Sequence, residues 1–88
     1  MSYTVYKLKK VEKQLEEWQK INPIIYLAIM SAIKQLEDDP LNGSNIVKLK
    51  AEQCWYYKID DLHHIIYSIS SNEVSILNTN RTITKLDR

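Results

Sequence analysis

Three closely spaced strand-like runs in the C-terminal half constrain the fold of this chain most. Cys54–Ile59, His64–Ser70 and Val74–Asn80 are rich in aromatic and β-branched side chains, and only a few residues separate each run from the next. Strands joined by such short connections pair as antiparallel neighbours. The sequence therefore predicts a three-stranded antiparallel meander.

One strand and two helices are expected before the meander. Tyr3–Leu8 is β-branched and aromatic, which predicts a strand, and the following residues up to Ile21 carry apolar side chains at helical spacing. Asn22 and Pro23 then end this helix and begin a second one, because asparagine is a favoured N-cap and proline is tolerated at the first helical position. The second helix is expected to run to about Asp38.

The apolar spacing of the second helix predicts which of its faces is buried. The expected members of that face are Ile25, Ala28, Ile29, Ala32, Ile33 and Leu36. Two helices with so short a break form a hairpin, which needs an apolar surface to cover. We therefore predict a single α+β domain over residues 1–88, ordered β-α-α-β-β-β, with the hairpin packed on one face of an antiparallel sheet.

Composition excludes several classes of protein. The chain has 88 residues and a net charge of +1, so the overall charge gives no strong nucleic-acid footprint. It contains no apolar run near the ~18 residues that span a bilayer, and its N-terminus lacks the apolar stretch of a secretory signal. Cys54 is the single cysteine and cannot form an internal disulfide. We therefore expect a cytoplasmic protein without a membrane partner.

Strand alternation brings several polar residues to one face of the predicted sheet. Successive side chains point to opposite faces, so Tyr56, Lys58 and His64 are expected on the exposed face, away from the helices. Arg81 follows the neighbouring strand, whereas His63 belongs to the turn or to the buried side. Adjacent histidines on a strand are poorly placed to chelate one ion, and no cysteine or carboxylate lies at a familiar zinc spacing, so we expect no metal site. The pattern leaves two interpretations open, a functional cluster or an ordinary solvated sheet face.

Four segments of the sequence, taken in order, are similar to those of a known family. They are Lys48-Leu49-Lys50, the strand Cys54–Ile59, the run His64–Tyr67 and the apolar strand from Val74 to Arg81. Together with the order of helices and strands, they resemble the RelE/ParE superfamily of bacterial toxin–antitoxin toxins. The resemblance spans nearly the whole chain and rests on the order and spacing of these segments.

The resemblance implies a chemistry and a set of catalytic residues. RelE-like toxins enter the ribosomal A site and cleave mRNA by attack of a 2′-hydroxyl on the adjacent phosphate, which requires no metal or cofactor. By position, Lys58 matches a catalytic lysine and Arg81 a phosphate-binding arginine. His64 stands where the family usually has arginine. Since an imidazole titrates near neutral pH, we expect His64 to share the proton transfers with Lys58.

The same resemblance implies binding residues and partners. Lys48, Lys50 and Tyr56 are expected to contact RNA, although Tyr56 stands where the family usually has a basic residue. The expected partners are a cognate antitoxin, the ribosome and mRNA. Two alternatives stay open: a ParE-like inhibitor of DNA gyrase without nuclease activity, and an inert protein of this fold that binds only an antitoxin.

Overall fold

The structure is a computed structural model that describes residues 2–49 and 54–80. Its elements are β1 (Thr4–Lys7), α1 (Lys9–Ile21), α2 (Pro23–Asp38), β2 (Ile46–Lys48), β3 (Trp55–Lys58), β4 (His64–Ser70) and β5 (Glu73–Asn78). The strands form one sheet in the order β1-β5-β4-β3-β2. The predicted α+β class is confirmed, as is the antiparallel meander of β3, β4 and β5.

The sheet differs from the prediction in two respects. The three-residue strand β2 pairs antiparallel with β3 and adds an edge strand, which was missed because alternation is not readable over so few positions. At the other edge, β1 pairs parallel with β5, so the sheet is mixed instead of wholly antiparallel. A parallel pair needs a long crossover connection, and the chain from α1 to β4 supplies it.

The helical hairpin begins and turns where the sequence predicts. In α1, Val11 and Leu15 are buried and Trp18 is half-buried, whereas Ile21 at the end of the predicted stripe is exposed. The side chain of Asn22 caps α2 by accepting a hydrogen bond from the Ile25 N–H at 3.3 Å. The Asn-Pro pair thus ends one helix and starts the next without an intervening loop.

The main core lies between this hairpin and one face of the sheet. On α2, Ile25, Ile29, Ala32, Ile33 and Leu36 are buried, as predicted, and Ala28 is half-buried. From the sheet, Ile65, Tyr67, Val74 and Ile76 pack against them. Among the described residues, neither helix is long and apolar enough to cross a membrane.

One tyrosine ties the core to the loop after α2. The ring of Tyr67 is fully buried, and its hydroxyl donates to the carbonyl of Pro40 at 2.7 Å. Burial of the ring, with the negative charge of Asp39 nearby, raises the pKa of the Tyr67 phenol above its usual value. The hydroxyl therefore stays protonated and keeps the loop attached to β4.

Candidate functional site

The β3–β4 pairing brings two of the three predicted catalytic residues, Lys58 and His64, together. Lys58 lies directly opposite His64, and Tyr56 lies opposite Ile66. Side chains directly opposite one another share a face of the sheet. Since Ile65 in the same strand packs under the hairpin, Tyr56, Lys58 and His64 share the outer face, as alternation predicts.

The predicted exposure of this face is wrong at two of its three residues. Tyr56 and His64 are each only 4% exposed, and their rings meet edge to face with centroids 5.2 Å apart. Tyr56 forms a second small apolar cluster with Leu49 and Ile66. The outer face therefore carries its own core around Tyr56, and alternation alone does not reveal that cover.

Lys58 is the member of the group that reaches solvent. Its side chain is 48% exposed, and its Nζ lies 3.0 Å from Oδ1 of Asp61, a carboxylate that is 92% exposed. Asp61 was not among the site residues predicted from the sequence. The spacing could have indicated Asp61, because an acid in a short turn, three residues after a lysine that ends a strand, lies within reach of that lysine.

The turn between β3 and β4 is organised by its other acid, Asp60. Its Oδ1 accepts hydrogen bonds from the backbone N–H groups of Leu62 and His63 at 2.9 and 2.8 Å. The same oxygen lies 2.7 Å from Nδ1 of His63, whose ring packs edge-on against Trp18 of α1 at 5.3 Å. The prediction that His63 belongs to the turn or the buried side is confirmed.

These contacts set the ionisation of Asp60. Partial burial opposes the charged form, but the hydrogen bonds from the His63 ring and from the Leu62 and His63 amides outweigh it, and the pKa of Asp60 falls below 3.8. A carboxyl group with a lowered pKa stabilises the fold when it is charged. Its contribution is fully present above pH 3.8 and is lost as the pH falls through the folded-state value.

Replacing Asp60 with alanine should therefore destabilise the protein in a pH-dependent way. We expect a cost of about 0.5–2 kcal/mol near neutral pH, the range for losing a capping side chain. The matched control is Asp61→Ala in the same turn, which leaves the backbone caps intact and should cost less. Urea unfolding from pH 7 down to pH 3 measures both. Equal costs for the two variants, or a cost for Asp60→Ala that does not shrink in acid, would contradict this account of the turn.

Of the predicted RNA-contacting lysines, Lys48 does not join Lys58 on one surface. Lys48 pairs with Trp55 across β2 and β3, and its Nζ lies 5.6 Å from the centre of the Trp55 ring. Trp55 packs on the hairpin side of the sheet, so Lys48 lies on the face opposite Lys58. Lys50 and Arg81 lie outside the described residues, and their expected roles stay predictions.

Two cavities in the described part of the chain lie away from the predicted site. The larger has a volume of about 310 Å³ and is lined by Gln35, Asp38, Asp39, Asn42, Gly43, Ser44, Asn45, Ile46 and Tyr57. A smaller cleft of about 180 Å³ is lined by Gln14, Glu17, Trp18, Ile21 and Asn80. Neither of these two cavities is lined by a predicted site residue.

Comparison with known proteins places the fold. No protein-family model and no curated protein matches the sequence. A YoeB/ParE toxin from Agrobacterium tumefaciens superposes with a TM-score of 0.78 at 17% identity, over 88% of this chain and 96% of that one. A YoeB dimer from Staphylococcus aureus superposes with a TM-score of 0.80 at 15% identity, over 94% of this chain and all of that one.

A third solved structure, a YoeB–YefM complex from Staphylococcus aureus, gives a TM-score of 0.77 at 16% identity, over 94% of this chain and 100% of that chain. At sequence identities this low, the structural similarity shows the fold of the chain and nothing beyond it. The fold is that of the RelE/ParE superfamily, as the sequence predicts. More particularly, it is the fold of YoeB/ParE toxins.

Proposed function

We propose that this protein is the toxin of a type II toxin–antitoxin pair and cleaves mRNA on the ribosome as a metal-independent endoribonuclease. The observation that carries the proposal is the position of Lys58, a solvent-exposed cation on the outer sheet face of a fold shared with YoeB/ParE toxins. A protein with this target acts in the cytoplasm. The partners that follow are the ribosome, mRNA and a cognate antitoxin.

The proposed reaction places defined demands on the site. The 2′-oxygen of one nucleotide bonds to the adjacent phosphorus, the bond from phosphorus to the 5′-oxygen breaks, and a proton moves from the attacking to the leaving oxygen. Cations near the phosphate stabilise the charge that develops on its oxygens. We place Lys58 against that phosphate. Arg81, which follows β5 in the sequence, is proposed to bind the same phosphate. Lys48, in the edge strand β2, is proposed to hold the RNA backbone, and the same role is proposed for Lys50.

The role proposed for His64 changes because of its burial. An imidazole that is 4% exposed and packed on Tyr56 does not present its ring to a substrate. As the cross-strand neighbour of Lys58, it supports the strand pair from which Lys58 projects. We therefore treat His64 and Tyr56 as positioning residues and Lys58 as the residue that contacts RNA.

Substitution of His64 distinguishes positioning from proton transfer. We expect His64→Gln to lower cleavage by less than the ~10²-fold that loss of a general acid or base costs. The pH–rate profile should keep its shape, while His64→Ala should lose stability as well as activity. Ribosome-dependent cleavage measured from pH 5 to 8, alongside thermal unfolding, tests this. Loss of one limb of the profile in His64→Gln would show that the imidazole itself transfers a proton.

The antitoxin part of the proposal is supported by one of the solved structures and by the hairpin surface. The YoeB of the Staphylococcus aureus structure is in complex with YefM. In this chain, Ile21, Ile24 and Leu27 lie exposed along the hairpin, where they offer apolar area to a partner. Tyr26 and Met30 pack against the main core instead.

A second candidate function is inhibition of DNA gyrase without nuclease activity. Among the described strand residues that point to the outer face, Lys58 is the one lysine or arginine, and the net charge of the whole chain is +1. A net charge this low gives the whole chain little electrostatic attraction for RNA. This favours a protein target over a polyanion, and induction of the chain in bacteria separates the two candidates.

A further inference from the structure

We propose that Asp61 is a specificity-determining residue of the Lys58 site, because its carboxylate is an internal anion that a substrate phosphate must displace. The inference rests on the proposed function in that the phosphate belongs to RNA. Lys58 is already paired with Asp61 at 3.0 Å, so any anion that binds Lys58 competes with a carboxylate attached to the same turn.

The two acids of the turn have separate roles. The Asp60 carboxylate stabilises the turn by hydrogen bonding with the backbone N–H groups of Leu62 and His63 and with the His63 ring. The backbone N–H groups of Ile59 and Asp60 in turn donate to the carbonyl of His63 at 3.0 and 3.3 Å. With the turn fixed from within, the Asp61 carboxylate projects outward and meets Lys58.

Displacement of Asp61 is feasible because the pair is exposed. Ion pairs between solvent-exposed groups are weak, and a lysine ammonium is a point charge with three donors that accepts another anion in place of the first. Once displaced, Asp61 still lies beside the bound phosphate and repels it. Both effects lower the affinity of Lys58 for an isolated anion without blocking the site.

The consequence concerns the class of substrate. A free phosphate or mononucleotide has only Lys58 to offset displacement of Asp61. An extended RNA chain also binds elsewhere on the protein, and those additional contacts offset the free energy needed to displace Asp61. Asp61 thus biases the site towards long, anchored polyanions and against small anions.

The test compares Asp61→Asn with Glu73→Gln. Both variants remove one negative charge from the outer face, but Glu73 pairs with Ser70 at the far end of β4. Ser70 lies six residues along β4 from His64, the partner of Lys58. Six residues of a strand span ~20 Å, about twice the screening length at 0.1 M salt. The probe is tripolyphosphate, and the measurement is the concentration that halves acetylation of Lys58 by an N-hydroxysuccinimide ester. Mass spectrometry follows the modification, with the exposed Lys34 as the internal reference.

We expect Asp61→Asn to lower the half-protecting concentration about 2- to 5-fold, the equivalent of an exposed ion pair, and Glu73→Gln to leave it unchanged. Equal values for the two variants would overturn the inference, as would an absence of protection in every variant. Ribosome-dependent mRNA cleavage is assayed separately on the same proteins. If the proposed function is wrong, the parent chain does not cleave mRNA, independently of the result of the protection experiment.

Discussion

Replacing Lys58 with glutamine should reduce ribosome-dependent mRNA cleavage by about 10²- to 10³-fold, the usual cost of removing one group that stabilises transition-state charge. Lys58 is an exposed cation on the outer face, and its neighbours Tyr56 and His64 are buried. No other described strand residue on that face supplies a positive charge in its place. The measurement is the rate of cleavage of a defined mRNA on purified ribosomes.

Two further variants make the Lys58 result specific. Lys58→Arg keeps the positive charge and should retain more activity than Lys58→Gln. Lys34→Gln removes an exposed lysine from α2, in the layer on the other side of the sheet, and should cleave like the parent. All three should unfold at nearly the parent temperature, since surface substitutions change stability little. Cleavage by Lys58→Gln within a few-fold of the parent rate would remove Lys58 from the mechanism.

Replacing Ile29 with alanine should lower the free energy of unfolding by about 2–5 kcal/mol, the range for truncating a buried isoleucine. Ile29 is fully buried at the centre of α2, in contact with the main core. Small domains are stable by only about 5–15 kcal/mol, so this one change removes a large share of the total. Urea unfolding followed by circular dichroism measures it.

The control for Ile29 lies on the same helix. Leu27 is 66% exposed, so Leu27→Ala removes a similar apolar side chain that makes little contact with the core. We expect it to change the free energy of unfolding by about 0.5 kcal/mol or less. Similar costs at positions 27 and 29 would mean that α2 does not present its predicted face to the sheet.

Elements in which apolar residues recur over many positions were predictable from the sequence. Periodicity over residues 9–38, interrupted by Asn22 and Pro23, determined both helices and the turn between them, because helical spacing and capping chemistry are local properties. The strand β2 was not predictable, since three residues carry no readable alternation. The parallel pairing of β1 with β5 was not predicted either, because it joins segments from opposite ends of the chain.

The candidate site shows the same division between local and distant information. Alternation correctly placed Tyr56, Lys58 and His64 on one face, since the direction of a side chain depends on its own strand. Alternation did not predict that two of the three are buried, because the Tyr56–His64 contact and the cluster around Leu49 are tertiary packing. Because of this burial, we propose that Lys58 contacts RNA and that the rings of Tyr56 and His64 position it.

The carboxylates of the β3–β4 turn complete that assignment. Asp60 holds the turn and Asp61 meets Lys58, so two adjacent and identical residues have different roles. Sequence alone does not separate them, because the difference lies in where each carboxylate points. The candidate site is therefore a lysine at the end of β3 that is paired with the Asp61 carboxylate, which we propose a substrate phosphate replaces.

The central claim is that this protein cleaves mRNA on the ribosome, and brief induction of the chain without an antitoxin in a bacterium tests it most directly. The measurement is a transcriptome-wide map of new mRNA 5′ ends, taken alongside translation rates and gyrase-linked DNA breaks. We predict rapid arrest of translation with mRNA cut at the codon in the ribosomal A site, and neither effect with Lys58→Gln. Intact mRNA together with gyrase-linked DNA breaks, or unimpaired growth, would contradict the account.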